Sequence, residues 1–271
     1  MPSPLAISAT WDAVAPDYTA DLVPLFELYA RDALALADLP DRARVLDVAA
    51  GPGTLALLAA PDADHVDAVD FSPAMVETLR QRAPAAGAAN VTVAEADGQA
   101  LPFEDATFDA VFSMFGLIFF PDRAAGFREA LRVLTPGGRA VVSSWAPLDG
   151  IPLLAACFGA LADLLPWFGS REGGLPLGDP TDFRDEMAAA GFDPVIVHTI
   201  EHRTEAASVR DFWASSARSS APLVVLRQQL EADAWADLGE AVVARLEREF
   251  GTGPVAMAWP AHLGVGVRPA R

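Results

Sequence analysis

The chain has 271 residues, 52% of them hydrophobic, which suffices for a sizeable core and sets disorder aside. Nineteen basic residues face 37 acidic ones, a net charge of −18, which argues against attraction to nucleic acid phosphates or to an anionic membrane surface. All the basic residues are arginine, and the missing lysine removes Schiff-base chemistry, a phosphate loop ending in Gly-Lys-Ser/Thr and a Tyr-x-x-x-Lys reductase pair.

The only cysteine, Cys157, lies in an apolar stretch and is read as a buried structural thiol, with neither a disulfide framework nor a cysteine-cluster zinc site available. Lack of disulfides fits a reducing, cytoplasmic setting. The first ten residues carry no basic residue and no apolar run of the kind a secretory signal needs. Residues 151–169 approach membrane-span length, but Pro152, Asp163 and Pro166 interrupt them, so a buried or amphipathic helix is expected and membrane insertion is not.

In chain order, residues 8–37 place Leu22, Leu25, Phe26, Tyr29, Ala33 and Leu36 at helical spacing, with Pro24 marking a helix start or break. A strand at 44–48 then runs into a glycine-rich turn and a short helix over 55–60 that stops at Pro61. The alternation repeats with a strand at 65–70, a helix at 73–83, a strand at 91–95 and a loop holding Leu101, Pro102 and Phe103. A strand at 108–114, a helix at 123–133 and a strand at 139–145 follow. After residue 147 the pattern reads as a helix near 151–165, a Gly/Pro-rich loop at 169–180, a helix at 181–190 and a strand at 194–199. Two or three helices between 208 and 250 precede a last strand within 254–267. The expected architecture is α/β: a doubly wound, Rossmann-like, mainly parallel seven-stranded sheet with an N-terminal helical segment and a late helical insertion. One domain spans 1–271, organised as a helical cap over 1–40, a cofactor-binding core over 41–146, and the remaining sheet over 147–271 with a helical substrate lid at about 205–250.

The most informative segment runs from Val45 to Thr54. Gly51 and Gly53 let main-chain N–H groups approach a ligand where a helix begins, as at nucleotide sites. With Ala56 the loop also satisfies G-x-G-x-x-A, so on its own it suits a nicotinamide or flavin cofactor nearly as well. Asp70, 17 positions beyond Gly53, ends the second strand where a carboxylate accepts hydrogen bonds from ribose hydroxyls. The competing reading is that Asp70 serves the turn while Ser72 caps the helix opened by Pro73.

A third block, Ala94 to Gly98, puts Asp97 and Gly98 just past the third strand. In this order, with Leu101–Phe103, Phe108–Val111 and Leu131–Gly138, the blocks resemble the class I S-adenosylmethionine-dependent methyltransferases, nearest the ubiquinone/menaquinone C-methyltransferase-like group of small-molecule enzymes. The resemblance is strong over about residues 43–145 and loose to Thr199. It implies that Ala49, Gly51 and Gly53 surround the methionine end of S-adenosylmethionine, that Asp70 binds ribose, that Phe71 lies on the adenine, and that Ser72 and Met75 are further cofactor-binding residues. Asp97, with Gly98 and Gln99, would face the adenine amino group; Ser113 and Met114 would border the reactive end; Trp11 and Tyr18 would close over the cofactor from the N-terminal segment. The spent product would be S-adenosylhomocysteine.

The acceptor is expected to be an uncharged or aromatic small molecule, walled by Phe115, Trp145, Phe168 and Trp213. Methyl transfer to oxygen is preferred slightly over nitrogen or carbon. The catalytic residue is left open and no metal is expected: His65, His198, His202 and His262 are read as structural or exposed, and no pair has metal-ligand spacing. Two rivals remain at this stage, a nicotinamide-dependent oxidoreductase and a non-catalytic protein that keeps the cofactor fold. The oligomeric state is not legible.

Overall fold

The computed structural model describes residues 3–165 and 175–270. Seven strands form one sheet: β1 (Arg44–Val48), β2 (His65–Asp70), β3 (Val91–Glu95), β4 (Phe108–Ser113), β5 (Leu134–Trp145), β6 (Val195–Ala206) and β7 (Val255–Val267). Their order across the sheet is β3-β2-β1-β4-β5-β7-β6. The first five pair in parallel, and β7 runs antiparallel to both β5 and β6. The sheet is thus mainly parallel, with one antiparallel hairpin at its end.

Helices cover both faces, which is why Val45, Leu46 and Val48 of β1 are all buried instead of alternating with polar residues. On one face α2 (Val23–Ala37), α3 (Thr54–Ala59) and α4 (Pro73–Ala85) pack Tyr29, Leu55 and Leu79 against Phe112. On the other, α5 (Arg123–Val133) and α7 (Pro180–Ala190) pack Phe127, Phe183 and Met187 against Phe108. The N-terminal helical segment is two helices, α1 (Ser8–Asp21) and α2, divided at Leu22, with Pro24 in the first turn of α2 where its missing N–H costs nothing.

The late insertion lies between β6 and β7. Helices α8 (Val209–Ser219), α9 (Ala221–Arg227) and α10 (Ala232–Phe250) join α6 (Pro152–Leu164) around Cys157, Phe212, Val242 and Leu246. Burial pushes the Cys157 thiol up to about 12, so it is inert filler of this core. Among the described residues no helix is long and apolar enough to cross a membrane.

Two strands run longer than their sequence patterns indicate. β5 begins at Leu134 because the Pro136–Gly138 turn is carried as an irregularity in its pairing with β4. β6 continues to Ala206 because β7 pairs with it throughout. Trp145, the last residue of β5, lies opposite Ala261, which lies opposite Ile200; the six pairs from Glu201–Pro260 to Ala206–Val255 carry the hairpin beyond the end of β5 as an arm.

Candidate functional site

After β3 the chain crosses to the far side of β1 to lay down β4, so the connections leaving β1 and β4 diverge above the carboxyl ends of these strands. A crevice opens at such a switch point. There the structure has a cavity of about 340 Å³, bordered by the loops after β1, β2, β3 and β4 and roofed by the N-terminal segment.

The loop after β1 is held in a demanding conformation. Ala49, Gly51 and Gly53 all have positive φ, at 57°, 54° and 82°. A Cβ on Gly53 would fall 2.0 Å from Leu79 Cδ1, whereas at Gly51 it would meet nothing within 4 Å. Gly53 is therefore required by close packing of the loop on α4, and Gly51 by the backbone turn that bares the loop to the cavity. From α4, Arg82 Nη1 donates to the Pro52 carbonyl at 2.5 Å and pins the loop from behind.

Asp70 is 6% exposed and borders the cavity. Its Oδ2 accepts from Gly51 N–H at 2.8 Å and its Oδ1 from Ser72 N–H at 2.9 Å, so the two readings of Asp70 coexist: the carboxylate organises both turns and still faces the ligand space. Burial lifts its pKa to about 6, against the lowering effect of hydrogen bonds from Ser72, Gly51 and Phe71. Behind it Asp47, 1% exposed, accepts from Ala56 N–H at 3.0 Å, and burial lifts it to about 8. Burial, then the Asp70 charge, raises the Tyr18 phenol above its ordinary range, so its hydroxyl keeps its proton near that carboxylate.

Of the residues singled out in the sequence, Trp11, Tyr18, Ala49, Gly51, Asp70, Phe71 and Met75 border the cavity, as do Asp97, Gly98, Gln99, Met114 and Phe115. Gly53 and Ser113 stand one step behind. Ser113 Oγ accepts from Leu117 N–H at 3.1 Å and so shapes the loop after β4. Ser72 is fully buried: its Oγ accepts from Met75 N–H and donates to Asp12 of α1 at 2.6 Å, so it ties the N-terminal helix to the start of α4. Trp145 stands outside the lining and stacks on Phe115 at 4.2 Å. Trp213 lies in the core of the helical insertion, stacked on Trp235 at 5.6 Å, with its indole Nε1 2.9 Å from where a Cβ on Gly239 would stand. Phe168 lies outside the described residues.

Sequence reasoning did not single out Ala6, Ala96, Gly116, Phe119, Phe120 and Pro121, all six of which border the cavity. The available signal was the length of the apolar run from Met114 to Phe120, too long for a turn between β4 and α5. Phe119 packs on Trp11 at 4.9 Å, and Trp11 Nε1 donates to Leu5 O at 2.9 Å, which folds the N-terminus over the cavity. Phe115 has φ 55°, an uncommon value for a bulky residue, and is held there by its N–H donating to Ser143 Oγ at 2.8 Å.

Chemically, the described lining carries two carboxylates, Asp70 and Asp97, and no arginine or histidine. Such a site suits a nucleoside with hydroxyl and amino donors and a positively charged group; two phosphates would enter it without a cation to meet them.

Comparison with known proteins agrees with this chemistry. Residues 45–138 match a family model described as a methyltransferase domain. A demethylmenaquinone methyltransferase of Deinococcus radiodurans is 37% identical over 182 residues, covering 60% of this chain and 72% of that protein. This chain belongs to the class I S-adenosylmethionine-dependent methyltransferases. A demethylmenaquinone methyltransferase of Thermus thermophilus is 46% identical over 117 residues, 42% of this chain; the chain spans about half that relative's length, 51%. A solved Bacillus subtilis structure shares the fold at a TM-score of 0.60 and 21% identity, over 88% of this chain and 99% of that one. The family's cofactor, S-adenosylmethionine, fits the lining: donors for Asp70 and Asp97, and a sulfonium tolerated by an acidic pocket whose described lining carries no basic residue.

Proposed function

We propose that this protein transfers the methyl group of S-adenosylmethionine to a small-molecule acceptor. The observation that carries the reading is the acidic cavity at the switch point, without a basic residue among its described lining, with the Gly51 loop and Asp70 joined by a 2.8 Å hydrogen bond. In this reading Asp70 takes the ribose hydroxyls, Phe71 and Met75 flank the adenine, and Asp97 with Gln99 meets its amino group. Ala49 and Gly51 border the methionine portion, and Met114 and Phe115 border the methyl group. The sulfonium supplies an activated methyl and a good leaving group, so the protein contributes alignment and exclusion of water. The half-buried aromatic surface beyond Phe115 supports an uncharged ring as acceptor, in keeping with relatives named for demethylmenaquinone. Oxygen is the preferred acceptor atom, ahead of nitrogen and carbon.

The test is transfer of radiolabelled methyl from S-adenosylmethionine to a panel of hydroxylated aromatic rings, with S-adenosylhomocysteine measured as co-product. The expected result is stoichiometric label and co-product, abolished in Asp70→Ala. Tight binding of the cofactor without turnover of any ring would favour a binding protein instead.

A further inference from the structure

The rings that begin at Phe115 continue away from the cavity. Trp145 stacks on Phe115, Trp259 follows at 5.8 Å from Trp145, and Phe26 lies 5.0 Å from Phe115 and 5.9 Å from Trp145. Phe115 is buried, whereas Phe26, Trp145 and Trp259 pack against the same core and are half-buried, so each keeps part of its ring accessible. Tyr29 touches both Phe115, at 5.3 Å, and the imidazole of His202, at 4.7 Å.

His202 stands on the arm by which β6 and β7 overrun the end of β5, opposite Trp259. Strand alternation turns it to the side of Ile200 and Thr204; Glu201 and Arg203 are exposed on the other side, paired with each other at 3.0 Å. From α2, Asp32 Oδ2 lies 2.6 Å from His202 Nε2. A carboxylate only accepts, so it holds the ring proton on Nε2 and leaves a lone pair on Nδ1. Neighbouring donors are already engaged: the Tyr29 hydroxyl donates to Trp259 O, and Trp259 Nε1 to Thr204 Oγ1 at 2.7 Å. Asp32 and Tyr29 of α2, with Glu201 and Arg203 of β6, are the titratable groups around it. Orientation of an imidazole by a half-buried carboxylate on its tautomer-setting nitrogen is the geometry of general-base histidines.

We propose that His202 is the catalytic base for an acceptor that lies on the Phe26–Trp145–Trp259 face, and hence that the acceptor is a planar ring bearing a hydroxyl group. Asp32 is a positioning residue that fixes the tautomer. The proposal rests on the methyltransferase reading. His202 Nδ1 takes the hydroxyl proton; the electron pair released on the ring oxygen, or delivered through the ring to the adjacent carbon, forms the new bond to the methyl carbon. The methyl–sulfur bond breaks with its pair remaining on sulfur, and the imidazolium returns its proton to water. On carbon, the adduct then releases its ring hydrogen as a proton to water while the oxygen regains one, which restores the aromatic ring; the same proton abstraction by His202 thus opens methylation of oxygen and of the neighbouring carbon.

The test reads the ionisation of bound 4-nitrocatechol, whose phenolate absorbs at longer wavelength than its phenol, in the complex with S-adenosylhomocysteine. Below the probe's own midpoint the wild-type protein is expected to bind it largely as phenolate, His202→Gln as phenol, and Asp32→Asn in between. Methyl transfer to 1-naphthol is expected to fall about 10²–10⁴-fold in His202→Gln. Transfer to 2-hydroxy-1,4-naphthoquinone, already an anion at neutral pH, falls far less. Unchanged affinity for S-adenosylhomocysteine in both variants shows that they are folded. Equal phenolate fractions in wild type and His202→Gln, or failure of the probe to bind while the sulfur nucleoside binds, overturns the assignment of His202. Failure of the wild type to bind the sulfur nucleoside overturns the methyltransferase reading itself.

Discussion

At the scale of single residues, two buried carboxylates make opposite demands on pH. In the proposed reading Asp70, lifted to about 6 by burial, takes the ribose hydroxyls as the carboxylate, so cofactor affinity is expected to rise as pH rises through about 6 and to level off above it. One unit below that point the loss is roughly tenfold. Calorimetric titrations from pH 5 to 8 check this, and Asp70→Asn flattens the profile at low affinity. Asp47 acts on folding instead. Its folded pKa, about 8, lies above the ordinary value, so the native state holds a proton that the unfolded chain has released. Its contribution to stability is complete below the unfolded pKa and is lost as pH rises through about 8; Asp70 adds a loss of the same sign as pH rises through about 6. Urea denaturation at several pH values should show stability declining over this window, with a shallower decline in Asp47→Asn.

At the scale of elements, the strand–loop–helix unit of β1 and α3 depends on one glycine. Gly53→Ala places a methyl against Leu79 in a left-handed backbone and is expected to cost about 2–4 kcal/mol. Urea melts of Gly53→Ala and of Gly53→Ala with Leu79→Ala separate the clash from the backbone term: the second change relieves only the clash. This unit was legible in the sequence because its signals are local: a strand, the Gly51 and Gly53 turn, a helix, then Asp70 at the end of the next strand. Asp97 and Gln99 were legible for the same reason, since the Gln99 N–H bonds to Asp97 within one turn at 2.9 Å. Ser72 and Trp213 depended on partners that spacing does not reveal, Asp12 of α1 for one and Trp235 of α10 for the other. His202 was hardest, since the carboxylate that sets its tautomer is 170 residues away. The length of β6 was hidden too, because only pairing with β7 draws it out over the carboxyl end of the sheet.

At the scale of the molecule, α1 bridges the start of α4 and the helical insertion between β6 and β7. Asp12 accepts from Ser72 Oγ at 2.6 Å and from Ala74 N–H at 3.1 Å, and Asp21 pairs with Arg218 of α8 at 2.8 Å. Trp11 and Tyr18 hang from the same helix over the cavity. Ligand in the cavity is therefore expected to slow amide hydrogen exchange along α1, and Asp12→Ala to weaken that protection while leaving exchange in β1 and β4 unchanged. The excess of acidic residues extends into the site as Asp70 and Asp97, a lining that in the proposed reading favours a cofactor carrying positive charge. The most direct test is calorimetric binding of S-adenosylmethionine and S-adenosylhomocysteine, with NADH and NADPH as controls and Asp70→Ala alongside. Binding of the two sulfur nucleosides alone, lost or strongly weakened in the variant, is the predicted result. Binding of a nicotinamide dinucleotide without the sulfur nucleosides would contradict it.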